Sequence, residues 1–375
     1  MNSVTEAERQ VLIALIELTD PIETPNNTHY AFYPKSLEDA AAYFRSLRQD
    51  WTLAYASLVA RRLLRTVDSG YALTSAGAEL ARQERLEHPP IWYWYREYYT
   101  IATCSSAYSR FCEALYGCDL CQTSFSDMAQ ISFLIQVANL VPGSRVLDLG
   151  CGKGLLAEFL SDTTGARVSG VDYVPEAIEQ ALERTAAKRD RLDFKVGNFD
   201  HLDYLTDSFE LVVSIDTLYM PNDLPATLCK LRDLLTPGGK MLVFYSTFCP
   251  DASQSRETLL PDNTGLARAL GQVGLSYRTW DFTEPTFRLM RRKYQLAESM
   301  RSEFEAEGTM FLYDHLIAES DKGEGPYDPQ TVSMGRYLYQ APATGGLEPQ
   351  SAERLARIIH VERGGDALCI RETLV

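Results

Sequence analysis

The chain is 375 residues long, 45% apolar and 23% charged, with a formal net charge of −15 at pH 7. The length fits two or three domains, and the composition excludes wholesale disorder; the acidic balance speaks against nucleic acid or an anionic membrane as the main partner, because phosphate binding needs clustered Lys and Arg. No apolar run approaches the roughly 18 residues of a spanning helix, and Glu6, Glu8 and Arg9 precede the first apolar cluster, so a cytoplasmic location without membrane contact is expected.

Thr5-Glu6-Ala7-Glu8 is a capping-box pattern ahead of Val11, Leu12, Leu15 and Ile16, which predicts a first helix. Ser36 opens a second, with Leu37, Ala40, Ala41, Phe44 and Leu47 at helical spacing, and a third runs from about Thr52 to Leu63. Leu64 to Val67 and Tyr71 to Leu73 read as short strands around Asp68-Ser69-Gly70, and Thr74 starts another helix. Three helices, a hairpin and a helix give a small winged-helix-like α+β domain over residues 1–88, closed by Pro89-Pro90. Arg61, Arg62 and Arg65 fall on or just past the helix that would read DNA, yet residues 1–90 hold nine Lys and Arg against twelve Asp and Glu. A DNA module is normally basic, so dimerisation or capping of an active site is the expected role, with a homodimer as partner state.

A second domain is expected over 89–341. Its first part, 89–126, is a helical, aromatic cap beginning "IWYWYREYYT", in which Tyr95, Tyr98 and Tyr99 can line an aromatic cage for a substrate ammonium or flat ring, and Trp92 and Trp94 read as a hydrophobic seam. Eight cysteines are too sparse for a disulfide scaffold. Of Cys104, Cys112, Cys118 and Cys121 only the last two have ligand spacing, so no metal is expected. After Pro142-Gly143 strands and helices alternate: strands at Arg145–Leu149, Ala166–Asp172, Leu192–Val196, Phe209–Ile215 and Lys240–Ser246, helices at Leu155–Ser161, Pro175–Lys188 and Leu224–Leu235. Such βα units build a parallel, doubly wound α/β sheet. Further strands are expected at Leu275–Asp281 and Met334–Gln340, and a tail, 342–375, holds one helix candidate near Ser351–Ile359.

The stretch "VLDLGCGKGLLA" breaks from strand into glycines and then helix, which marks a ligand site. Gly152, Gly154 and Ala157 satisfy the dinucleotide spacing G-x-G-x-x-G/A, and Gly150, Gly152 and Gly154 the tighter G-x-G-x-G of methyl-donor loops; spacing leaves both open. Charge at the strand ends decides between them. Asp148, Asp172, Asp200 and Asp216 all lie at carboxyl ends of strands, and a pyrophosphate facing Asp148 meets repulsion on the order of a few kcal/mol. S-adenosylmethionine carries a sulfonium and an ammonium and is drawn to the same carboxylates. Asp172 suits the ribose hydroxyls of either cofactor, Tyr173 offers a ring face to adenine, and Asn198-Phe199 an amide oxygen and a backbone N–H to its edge.

Together these segments resemble the class I S-adenosylmethionine-dependent methyltransferases from about Asp127 to Gln340. "VLDLGCGKG" is similar to their first motif, "GVDY" to their acidic second strand, "VGNFDHL" to their adenine motif, "SFELVVSIDTLYM" to their fourth strand and "LLTPGGKMLVF" to their fifth. The resemblance implies a Rossmann-like seven-stranded sheet and a cofactor site lined by Asp148, Gly150, Gly152, Gly154, Asp172, Tyr173, Asn198, Phe199 and Ser214. Asn198 departs from the usual aspartate of the adenine motif, and a neutral acceptor binds more weakly.

Methyl transfer to a small-molecule acceptor needs chiefly an in-line nucleophile, and positioning supplies on the order of 7–11 kcal/mol. Asp216, at the mouth of the fourth strand, is placed to hold a cationic amine; Tyr219 follows on the same turn; and His315, in "EGTMFLYDHLIAES", is a candidate base or orienter within a lid. The expected function is methylation of a nitrogen or oxygen on that acceptor. A winged-helix transcriptional regulator that senses S-adenosylmethionine or a related metabolite is the alternative.

Overall fold

The computed structural model describes residues 3–20, 34–68, 70–248, 256–321, 327–328, 332–344 and 371–374. The chain divides into two compact units, Met1–Thr100 and Ile101–Val375.

The first unit contains helices α1 (Glu6–Thr19), α2 (Leu37–Ala42) and α3 (Thr52–Ala60), strands β1 (Leu64–Val67) and β2 (Gly70–Leu73), and α4 (Ser75–Glu87). The Thr5 capping box forms in full: the Thr5 hydroxyl accepts from the Glu8 N–H, and the Glu8 carboxylate accepts from the Thr5 N–H. α1 buries Val11, Leu12, Ile13 and Ile16 against α2, α3 and α4. Glu8 also binds Arg61 at 3.0 Å, and Glu17 binds the buried Arg85 at 3.1 Å, which compensates two carboxylates on the buried side of the helix. Two helices are shorter than their periodicity predicts, because Arg45 and Arg62 adopt left-handed backbone at φ 51° and 59° and break the ladder beyond α2 and α3. The boundary between the units falls inside α5 (Pro90–Cys104).

In the second unit the aromatic stretch continues as α6 (Ser106–Tyr116), which ends at a left-handed Gly117. α7 (Met128–Ala138) follows, capped by Asp127. The alternating region gives β3 (Arg145–Leu149), α8 (Leu155–Thr164), β4 (Arg167–Asp172), α9 (Pro175–Arg184), β5 (Leu192–Val196), β6 (Phe209–Ile215), α10 (Leu224–Leu234) and β7 (Leu235–Phe248). Then come α11 (Gly265–Gln272), β8 (Arg278–Asp281), the long α12 (Thr283–Glu307), α13 (Met310–Ser320), β9 (Met334–Pro342) and β10 (Arg371–Leu374).

The sheet runs β10-β8-β9-β7-β6-β3-β4-β5. β3 to β7 are mutually parallel, and β9 lies antiparallel to both β7 and β8. Strands β3 to β9 form the expected seven-stranded Rossmann-like sheet; β10 adds an eighth at the edge, antiparallel to β8. Val146, Val168, Leu192, Phe194, Leu211, Val213, Leu242 and Phe244 belong to one core cluster with Phe133, Leu134 and Val137 of α7. Each such burial contributes about 1.5–3 kcal/mol. Strand order reverses between β3 and β6, so the ligand crevice of this architecture opens at their carboxyl ends. The helix candidate at Ser351–Ile359 lies outside the described residues.

Candidate active site

The glycine loop sits at that switch point. Gly150, Gly152 and Gly154 all have positive φ, at 73°, 50° and 70°. At Gly150 a Cβ would lie 2.4 Å from the Thr217 methyl, just past β6; at Gly154 it would lie 2.5 Å from the Phe194 ring. Both positions therefore demand glycine twice over, for backbone conformation and for contact. The N–H groups of Gly150 and Cys151 both donate to the Val171 carbonyl, which folds the loop back over β4.

Two buried carboxyls lie beneath it. Asp148 on β3 is 2% exposed, and its Oδ2 has no hydrogen-bond partner. Asp172 ends β4 and accepts from the Gly152 and Val174 N–H groups, each at 2.9 Å. Burial, reinforced by the neighbouring Asp172, pushes the Asp148 carboxyl up to about 7. Burial raises Asp172 to about 6, against the pull of its backbone donors. Burial thus favours the protonated form of both carboxyls, of Asp148 the more, and a cationic ligand favours the ionised form. The unpartnered oxygen and the Cβ-free loop fit a cationic ligand that approaches the backbone closely.

The other expected cofactor residues flank this floor. Tyr173 follows Asp172 and is half-buried; Phe199 is buried in the turn after β5. The Asn198 side-chain oxygen accepts from the Asp200 N–H at 2.9 Å and so shapes its own turn. Ser214 is fully buried and pairs with Thr217 Oγ1 at 2.7 Å, while Thr217 donates to the Leu149 carbonyl.

Asp216 and Tyr219 come together, with the Tyr219 hydroxyl donating to Asp216 at 3.0 Å and accepting from the Ser246 N–H at 2.6 Å. The Asp216 carboxylate is also gripped by the wholly buried Arg336, at 2.6 and 2.9 Å, so its charge has a partner within the protein. Burial first, and then the Asp216 charge, push the Tyr219 phenol well above its ordinary value.

His315 lies on α13 in a second cluster: its Nε2 is 3.1 Å from Glu319, which also binds the buried Lys293 of α12 at 2.5 Å. The clusters share Phe125, whose ring has the Lys293 ammonium at 5.8 Å and the Arg336 guanidinium at 5.6 Å. Sequence reasoning missed Arg336, Lys293 and Glu319. Tyr95, Tyr98 and Tyr99 belong to the first unit, where Tyr95 stacks on Tyr99 and Trp94 on Tyr98; Tyr98 and Tyr99 are buried. Cys104, Cys112, Cys118 and Cys121 carry free thiols.

Residues 146–239 match a family model described as a methyltransferase domain. The chain is 26% identical over 194 residues to phosphoethanolamine N-methyltransferase 1 of Zea mays, covering 49% of this chain and 38% of that protein. It is 33% identical over 136 residues to the ubiquinone biosynthesis O-methyltransferase of Xanthomonas oryzae pv. oryzae, covering 36% and 50%. The chain thus spans about two fifths of the length of the plant relatives it matches. Among solved structures, phosphoethanolamine N-methyltransferase 2 of Haemonchus contortus, in complex with phosphomonomethylethanolamine and S-adenosylhomocysteine, superposes with a TM-score of 0.53 at 19% identity, covering 68% of this chain and 60% of that one. Residues 146–239 thus match a methyltransferase domain, and the second unit has the Rossmann-like fold of the class I S-adenosylmethionine-dependent methyltransferases.

Proposed function

We propose that this protein is an S-adenosylmethionine-dependent methyltransferase acting on nitrogen or oxygen of a small-molecule acceptor. The observation that carries the reading is the buried Asp148–Asp172 pair beneath a left-handed glycine loop, with one carboxylate oxygen unpartnered. When bound, S-adenosylmethionine supplies a methyl group already activated on sulfur. Asp148 then loses its proton and balances the positive charge of the donor. Asp172 holds the loop through Gly152 and has acceptor capacity left for ribose hydroxyls. Tyr173, Asn198, Phe199 and Ser214 enclose the nucleoside, and the Asp216–Tyr219 pair fixes the acceptor side. Glu319 orients His315 as the candidate base for an acceptor that arrives protonated.

The relatives named for phosphoethanolamine and for ubiquinone biosynthesis set the first acceptors to try. Labelled donor is incubated with phosphoethanolamine, phosphomonomethylethanolamine and a catechol, and products are read by mass spectrometry. Transfer to any of them supports the reading; donor binding without transfer to these or a wider metabolite panel, together with tight, salt-sensitive binding of duplex DNA, favours the sensor-regulator instead. Residues 1–88 are proposed as a winged-helix-like module for dimerisation or capping, and Tyr95, Tyr98 and Tyr99 as acceptor-binding residues. Light scattering checks for the dimer, and cell fractionation for cytoplasmic residence.

A further inference from the structure

We propose that Arg336 is a positioning residue for methyl transfer, whose grip on Asp216 fixes the turn after β6 against the glycine loop. The inference rests on reading that loop as the donor site. Arg336 lies on β9 opposite Ser246 of β7, wholly buried. Its guanidinium makes five hydrogen bonds, matching its five N–H donors: Nε to Gln130 at 3.1 Å, Nη1 to Asp216 Oδ1 at 2.6 Å and to Ser246 at 2.8 Å, Nη2 to Ser126 at 2.7 Å and to Asp216 Oδ2 at 2.9 Å. One side chain therefore ties together β9, β7, the end of β6 and the segment leading into α7.

The consequence reaches the donor loop in two steps. Asp216 holds a left-handed backbone, φ 56°, which residues other than glycine adopt only when their surroundings impose it. Here the imposing contacts are the Arg336 fork, the Tyr219 hydroxyl and the Phe125 N–H at 3.4 Å. The very next residue is Thr217, which donates to the Leu149 carbonyl and whose methyl packs where a Gly150 side chain would stand. A shift of Asp216 thus moves the wall on which Gly150 rests. Stability alone does not account for the arrangement, because a buried ion pair is often replaceable by apolar side chains at no loss. What an apolar pair does not reproduce is a five-bonded fork with one geometry.

The test compares the wild type, Arg336→Lys, and Arg336→Met combined with Asp216→Asn, which tolerates the left-handed backbone and keeps an acceptor oxygen, by thermal melting and by calorimetric titration with S-adenosylhomocysteine, a probe that needs no turnover. The expected result is a double variant that melts within a few degrees of wild type but binds the probe at least tenfold more weakly, with Arg336→Lys between the two. A double variant that melts normally and binds within twofold of wild type overturns the proposal. If the double variant melts far lower, Arg336→Lys decides: normal melting with weakened binding supports the positioning role, whereas unchanged binding, or equally low melting, overturns it. A wild type that gives no heat with the probe removes the donor-site reading itself, a failure distinct from any seen only in the variants.

Discussion

Replacing Asp148 by asparagine separates the charge of the buried carboxyl from its shape. Burial and Asp172 raise this group from 3.8 to about 7. A carboxyl whose folded value lies above its unfolded one favours the protonated folded state, so its cost to stability is absent below pH 3.8, grows as pH rises, and is complete above about 7. That rise corresponds to a penalty on the order of 4 kcal/mol at pH 8, falling to roughly 2 kcal/mol at pH 5, where the folded group stays protonated. Asp148→Asn removes that penalty. The ligand-free variant should be more stable than wild type at pH 8, with a melting midpoint higher by on the order of 5–10 °C, and the gain should shrink by about half at pH 5. The same variant should bind S-adenosylmethionine at least tenfold more weakly, because the charge that meets the donor is gone. Melts at both pH values with a calorimetric titration test this. A variant no more stable than wild type at pH 8, or a gain equal at both pH values, refutes the reasoning.

Gly150→Ala should weaken donor binding and destabilise the fold by roughly 1–3 kcal/mol, since its φ is 73° and its Cβ would meet the Thr217 methyl at 2.4 Å; unchanged chemical denaturation and titration would count against the loop geometry. Glu319→Gln should cost about 3–5 kcal/mol at pH 7 by leaving the Lys293 ammonium buried without its partner. Although burial raises Glu319, His315 and Lys293 outweigh it and hold the carboxyl down at about 2. The stabilisation it gives is present above 4.5 and is lost as pH falls toward 2, so the gap between wild type and variant should narrow from pH 7 to pH 3. A gap independent of pH contradicts this.

The strands β3 to β6 were legible because each is a short run ended by Asp or Gly, and because the glycine loop fixes where the first one stops. α7 carries its own signal, an Asp127 cap and Ile131, Leu134 and Val137 at helical spacing, but its polar face is too thin for the pattern to stand out beside the aromatic cap. α12, left unassigned from the sequence, has Pro285 in its first turn and many charges along its length, which mask its apolar stripe. Extending β7 back to Leu235 through Thr236-Pro237-Gly238-Gly239 runs against strand propensity and depends on pairing with β6 at Phe209. The donor floor was readable as a set of residue types at strand ends, yet not its protonation, which follows from burial that only the fold supplies. Arg336 had no local signal at all. Within "SMGRYLYQ" nothing marks the arginine as buried, and the residues that satisfy it lie 90 to 210 positions away.

The central claim is that the glycine loop and its carboxyls receive a sulfonium donor and turn away a diphosphate. Calorimetric titration of the intact protein with S-adenosylmethionine and with NAD, at pH 6 and pH 8, tests it most directly. The account predicts saturable heat with S-adenosylmethionine, tighter at pH 8 than at pH 6 as Asp148 ionises around 7, and none with NAD. Saturation by NAD with no response to S-adenosylmethionine at either pH would contradict it.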